Sequence, residues 1–460
     1  MNIDIVDLVF VLGALALFRV CRPAVAVLSS FLGGWLLLPV GHFPAGSVGG
    51  EFPYWITGLA VPSDMLLTKA WVAPAAATLG SLAFDRPAWR ALRPAWMDLP
   101  VVLWCAWPLL QGAIVADAHP AGWIASSYLL GCWGLPWLLG RLYFATASGQ
   151  LQLIKGLAIA GVACLPFSLI EGAIGPVLYG QVYEPHPFRF DGAERYVGFR
   201  PMGLFEHGNQ FGLWVCLCAL AAVWLALAAP DGRAARWHRA LAVIAVLIAF
   251  AAQSVGGILI LIIGVAFLLA SRYLRPRTML VGAVAAMLLG GAVYVSGVVP
   301  IARLGKGSAL GQHVIGVFQA MGRGSFTWRI GQDQKLLADA MAKPLTGSAN
   351  WEWWRPKGIR PWGLTLLVIG QFGLVGLMLS LGTLLSPAVA AAWRAPRGSP
   401  WQMTALPLVL AAIAALTVLD ATMNSFIFFP AIMTAGALAT GTRRRGEIVR
   451  IPRRSGAHGV

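Results

Sequence analysis

The sequence predicts an all-α fold: a polytopic integral membrane protein with about 12–13 transmembrane helices and one large external loop. Three observations predict it. Of 460 residues, 58% are hydrophobic and only 11% are charged, against about 25% charged in an ordinary soluble domain. Long apolar runs recur along the whole chain. Lysine and arginine collect in alternate connections between those runs, the pattern of a chain whose basic loops stay on one side of a bilayer. A soluble enzyme of this composition would expose large apolar patches to water, and a disordered chain needs low hydrophobicity, so both classes are excluded. At roughly 20 residues per spanning helix, there is room for about a dozen spans.

In order, the apolar runs are 5–20, 22–40, 64–84, 98–117, 121–140, 151–175, 203–229, 240–253, 257–271, 278–299, 361–386, 402–420 and 424–441. The first lacks a basic n-region and a small-residue cleavage site, so it is expected to be a retained span. The pairs 5–20/22–40 and 240–253/257–271 are short and closely spaced, which fits tight helical hairpins or re-entrant elements. Cys21, Cys105, Cys132, Cys164, Cys216 and Cys218 all lie in apolar runs without a CxxC pair, as packing residues would.

Charge sets the organisation. Of 34 basic residues, 21 fall in odd-numbered connections, at the start of the sixth run (Lys155) or in the C-terminal tail. This side is expected to be cytoplasmic. Twelve lie in external loops and one, Lys69, within a run, where it is expected to snorkel. Most of the net +16 is therefore a topology signal, and a nucleic-acid partner has no support. Three external loops are long, at 41–63, 176–202 and 300–360. The division expected is a transmembrane bundle over 1–299 that includes loop 176–202, a loop subdomain at 300–360, closing helices over 361–441, and a basic tail at 442–460. Within the large loop, 327–341 has helical character. No P-loop, zinc motif or serine-hydrolase elbow is present.

Two segments carry candidate chemistry. RPMGLFEHGNQFG puts Arg200, Glu206, His207, Asn209 and Gln210 at the outer end of the seventh run. On a helix, Glu206 would lie beside Asn209 and Gln210. Such groups are costly in lipid and should face protein or a polar cavity. An anion would suit a helix N-terminus there, helped by Arg200, and an interfacial polar cap fits equally. The large loop holds nine basic residues against Asp333, Asp339 and Glu352, and among them Arg329, Arg355 and Arg360 suit bidentate phosphate contacts. Trp351, Trp353, Trp354 and Trp362 lie among these charges, either as interface anchors or as faces for sugars. Lys69, Glu171, Asp420 and Asn424 need partners inside the membrane. The turn Gln253–Gly257 has small residues that permit close backbone approach.

These motifs resemble the bacterial O-antigen ligase/polymerase superfamily of membrane glycosyltransferases. RPMGLFEHGNQFG is similar to its R-x-x-G-x-F-x-H-x-N segment, and AAQSVGGILILIIG to the S-R-x-A/G span that follows. TWRIGQDQ and KPLTGSANW resemble the R-x-x-x-W … P-L-x-G-x-G run of its large periplasmic loop, and PWGLTLLVIGQFGLVGL the segment that closes it. The match covers roughly residues 195–385 in order. It departs where the ligases have His-Asn, with a His held to be catalytic. Those positions here are Trp362 and Gly363, and the Arg of S-R is Val255.

The resemblance implies a polymerase of polyprenyl-pyrophosphate-linked repeat units at the periplasmic face of the bacterial inner membrane. Alternatives are a ligase-like transfer to another acceptor, a lipid-linked glycan transporter or flippase, and a non-catalytic scaffold. It carries over Arg200, His207, Asn209 and Arg329, and Arg355, Arg360 and Trp362 join them as expected substrate contacts. Glu206 or His207 is expected as catalytic base, with Asp191 or Glu194 behind them. No metal or other cofactor is implied. The implied partners are the glycan donor and acceptor, membrane lipid, a chain-length regulator and a flippase.

Overall fold

In a computed structural model, residues 3–41, 58–59, 67–183, 194–296, 307–320, 324–395, 400–422 and 424–439 are described. Among them the chain forms helices and no named strand, with isolated bridges such as Gly41–Thr68. In order the α-helices of eight or more residues are α1 Ile3–Val20, α2 Pro23–Leu37, α3 Lys69–Phe84, α4 Leu99–Ile114, α5 Gly122–Leu129 and α6 Leu135–Tyr143. Next come α7 Ala147–Val162, α8 Leu165–Ile174, α9 Gly208–Ala228, α10 Arg233–Ala251, α11 Val255–Ala270 and α12 Pro276–Ser296. The set ends with α13 Ala309–Ala320, α14 Gly324–Ala340, α15 Leu364–Arg394, α16 Leu406–Ala421 and α17 Pro430–Leu438.

Each predicted apolar run overlaps helix. Among the described residues seven segments are long and apolar enough to cross a membrane: Trp96–Ile114, Ala147–Ile174, Gly208–Ala228, Arg233–Ala251, Pro276–Ser296, Leu364–Arg394 and Met403–Ala421. Pro23–Leu37 and Val255–Ala270 are shorter and equally apolar in character. Many large apolar side chains face outward, among them Leu103, Leu247, Ile262 and Leu289. Outward apolar surface on this scale, carried by helices of spanning length, is what a bilayer covers. The chain is a multi-pass membrane protein.

The core explains which helices lie inside. Helix α9 is apolar on every side and buries nearly all its residues, as expected of a central helix. Gly212 and Gly257 allow α11 to press against it: a Cβ at Gly212 would collide with Ser254, and one at Gly257 would meet the Gly212 carbonyl at 2.8 Å. Helix α12 is the opposite case and buries only Pro276 and Leu280.

Contacts divide between the two ends as the charge alternation predicts. At the basic end, Arg141 pairs with Asp98 at 3.0 Å and Arg277 lies over Trp393. At the long-loop end, Lys69 N–H bonds Val40, His119 N–H bonds Ala349, and Leu364 N–H bonds Asn424.

Two stretches of non-helical backbone are enclosed by protein, where such backbone is tolerated. In the first, α15 is broken at Gly373, whose φ of 70° and ψ of −176° lie outside helical space. The segment Pro344–Ala349 of the large loop crosses here. Ser348 and Ala349 N–H donate to Gly370 and Gln371 at 2.9 and 3.0 Å, while Leu374 N–H donates to Pro344 at 2.8 Å. Gln111 adds bonds from Nε2 to the Thr346 and Gln371 carbonyls, each 2.5 Å. In the second, the run predicted at 424–441 is helical only over Pro430–Leu438, and the buried Asn424–Phe429 stretch leads into it. The polar groups of Asn424 and Ser425 explain the difference, because both are engaged by the site described next.

Candidate functional site

The site is built where α9 begins. Helix α9 starts at Gly208, so Glu206 precedes the helix, and its N–H donates to Gln210 Oε1 at 3.0 Å. His207 is the cap, extended at φ −159° and ψ 149°, and its Nδ1 accepts from Asn209 N–H at 3.0 Å. An accepting Nδ1 places the proton of the neutral imidazole on Nε2. The His207 ring stacks on Phe426 at 5.4 Å.

Buried polar groups hold the segment leading into this helix. The Glu171 carboxylate accepts from Leu178, Met202 and Gly203 N–H at 3.1, 2.7 and 2.6 Å. Lys69 does not snorkel. It is buried, with Nζ donating to the Leu204 carbonyl at 2.5 Å and the Trp35 carbonyl at 3.3 Å. It also lies over the Trp35 and Phe205 rings and is attracted by the Glu206 charge. Gln253 clasps the strip from outside, with Oε1 accepting from Val197 N–H and Nε2 donating to the Val197 and Phe199 carbonyls.

So fixed, Arg200 lies against Gly208, where an added Cβ would stand 2.5 Å from its Nε, and Nη2 donates to Asn209 Oδ1. The large loop comes in from the other side. Arg329 of α14 donates from Nη1 to Asn424 Oδ1 at 2.8 Å, and Asn209 Nδ2 approaches the same oxygen at 3.5 Å. Asn424 Nδ2 donates to Asp420 Oδ1 at 2.8 Å. Arg360 donates from Nη2 to Ser425 Oγ at 2.9 Å. The guanidiniums of Arg329 and Arg360 lie 4.9 and 5.3 Å from the centre of the Trp362 ring.

Asp333 closes the cluster. One turn after Arg329 on α14, its two oxygens accept from Trp362 and Gly363 N–H at 2.6 and 3.1 Å. This carboxylate ties the large loop to the first turn of α15. Burial raises its pKa to about 6, against the pull of those two N–H groups and of Arg329 and Arg360.

Arg200, Asn209, Arg329, Arg360 and Trp362 therefore come together at one place. Arg355 is engaged elsewhere: it pairs with Glu352 at 2.6 Å and lies over the Trp351 and Trp354 rings. Trp351 and Trp354 are buried, and Trp353 packs on Gly370. Glu206 is buried beside Lys69, and Glu194 is exposed in a bridge to Phe199. Asp191 lies outside the described residues. Sequence reasoning missed Asp333, Ser425 and Trp328. The signal for Asp333 is its place four residues after Arg329 on a helix. Ser425 carries no local signal.

Among the described residues no group of three or more His, Cys, Asp or Glu side chains is placed to hold a metal ion. What the arrangement offers chemically is three guanidiniums of fixed position beside amide, hydroxyl and imidazole groups and the carboxylates of Asp333 and Asp420. Guanidinium forks are suited to phosphate oxygens, and more so where water is partly excluded. Comparison with family models, curated proteins and solved structures finds no match for this chain.

Proposed function

We propose that the protein is a membrane glycosyltransferase that polymerises polyprenyl-pyrophosphate-linked repeat units at the periplasmic face of the bacterial inner membrane. The observation that carries this reading is the convergence of Arg200, Arg329 and Arg360 on the neighbouring side chains of Asn209, Asn424 and Ser425 at the long-loop end. The donor diphosphate binds these arginines. A hydroxyl of the acceptor glycan attacks the anomeric carbon of the donor, and the bond from that carbon to the phosphate oxygen breaks. The electron pair leaves with the diphosphate, which also takes up the hydroxyl proton near neutral pH. Fixed cations stabilise the charge that develops on the leaving group.

In this reading His207 is a donor through Nε2–H to a phosphate or sugar oxygen. Glu206 acts as the counter-charge of Lys69, which keeps Leu204 and the strip from Arg200 in place.

Arg200→Ala and Arg329→Ala are expected to lower polymer in cells by at least roughly 100-fold, with normal amounts of protein in the membrane. Normal amounts of full-length polymer from both variants would sink the assignment. The lipid-linked species in a deletion strain separates two acceptors: single repeat units mean polymerase, and long polymer left on the lipid means ligase-type transfer. Reconstitution with donor already on the outer leaflet separates enzyme from flippase, since only an enzyme lengthens glycan there.

A further inference from the structure

Carbohydrate recognition next to a diphosphate site calls for an aromatic face that is open to solvent. The aromatic residues that stand out in the sequence do not offer one. Trp351 and Trp354 are buried under Arg355, and Trp353 is packed on Gly370. Trp362 is in the cluster, but its ring is already in contact with Arg329, Arg360 and Trp328. Trp328 is different. It is 52% exposed, and its ring meets Trp362 edge-on at 5.3 Å.

Its surroundings argue against a lipid anchor. Trp328 sits on α14, whose sequence GSFTWRIGQDQKLLADA carries Arg329, Asp333, Lys335 and Asp339 and is not apolar enough to lie in a bilayer. Its neighbour in sequence, Arg329, reaches Asn424 inside the cluster. Asp333, one turn on, accepts from Trp362 and Gly363 N–H and so holds the backbone that carries the ring against which Trp328 rests.

We infer that Trp328 is a carbohydrate-stacking residue, and that its exposed face receives a pyranose ring of the glycan next to the diphosphate. The inference rests on the proposed function and deepens it by assigning where the sugar lies. Arg329 and Arg360 hold the charged end, and Trp362 is the wall between them and Trp328. A sugar stacked on Trp328 then lies beside the diphosphate, with its polar edge free to reach solvent or a second glycan.

The test uses the full-length protein in nanodiscs. The probes are undecaprenyl diphosphate and the glycan-bearing diphosphate lipid extracted from cells lacking the protein. Trp328→Ala is expected to weaken binding of the glycan-bearing lipid roughly tenfold and to leave binding of undecaprenyl diphosphate unchanged. Trp328→Tyr, which keeps an aromatic face, restores most of the loss. Equal weakening of both lipids, or no change in either, overturns the inference, as does failure of Tyr to restore binding. If the unaltered protein binds neither lipid, the proposed function itself falls.

Discussion

Two polar regions sit near the long-loop end of the bundle, the crossing at Gly373 and the arginine cluster around Asn424. At the crossing every named polar group is neutral: main-chain N–H and C=O of Pro344–Ala349 and Gly370–Val375, with the Gln111 amide donating to two carbonyls. Donors are matched to acceptors from the same chain, so the backbone can leave the helix without leaving polar groups exposed to lipid. The cluster instead gathers Arg200, Arg329 and Arg360 around Asn209, Asn424 and Ser425, with the carboxylates of Asp333 and Asp420 beside them. Positive charge is in excess there, and one of the two acids titrates near neutrality. Holding like charges together is unfavourable unless something anionic joins them. The crossing is organised for structure; in the proposed function the cluster is organised for a ligand.

Breaking the crossing should have the largest effect on stability and none specific to chemistry. Gly373→Ala forces a side chain onto a residue at φ 70° and drives its Cβ into the Leu345 carbonyl. A strained backbone position alone costs about 1–3 kcal/mol, and the collision adds to it. The expected outcome is a lower melting temperature in detergent and less protein in the membrane. A Gly373→Ala protein that melts normally yet lacks activity would mean that the crossing belongs to the reactive site.

The cluster should respond to pH where the crossing does not. The charged and titratable groups facing Asp333 are Arg329 on its own helix, Arg360 on the approach to α15, and Tyr294 on α12. Its carboxyl titrates at about 6, against a usual value of 3.8. Between those values the folded protein binds more protons than the unfolded chain, so its stability falls as pH rises through that window and is flat outside it. A diphosphate diester keeps its charge throughout. Its binding should therefore strengthen as pH falls from 7 to 5, because a neutral Asp333 no longer competes for Arg329 and Arg360. Asp333→Asn should flatten that pH dependence, as measured by titration with a glycan-bearing diphosphate lipid. A persisting slope would assign it to another group.

The smallest effect expected is at Ser425. Ser425→Ala removes a single bond to Arg360, leaves the guanidinium on Trp362, and should weaken the same binding a few-fold, on the order of 1 kcal/mol. A loss as large as that of Arg329→Ala would show that Ser425 touches the ligand directly.

How much of this was legible in the sequence follows from the range of each interaction. Spans and sidedness are local: a run of apolar residues and a pair of arginines after it say what they are without any neighbour. Arg200 with Asn209 and Gly208 was also readable, because nine residues bring them together. Asn424 was visible only as a polar residue in need of a partner, and Ser425 not at all. Their partners, Arg329 and Arg360, are 95 and 65 residues away. Glu206 shows the opposite failure. Its neighbourhood reads as reactive, yet the side chain lies beside Lys69, from a helix 137 positions earlier in the chain.

The sequence by itself determined that this chain lives in a bilayer, which loops share a side, and where helix follows helix. Apolar length and basic flanks are sufficient for that, since lipid allows a spanning segment few alternatives to helix. The tertiary structure decided which cations meet, that Asp333 ties the large loop to α15, and that Trp328 is the exposed aromatic face beside the cluster. Those outcomes depend on packing between helices distant in sequence, and no local pattern encodes the direction in which a side chain finally points.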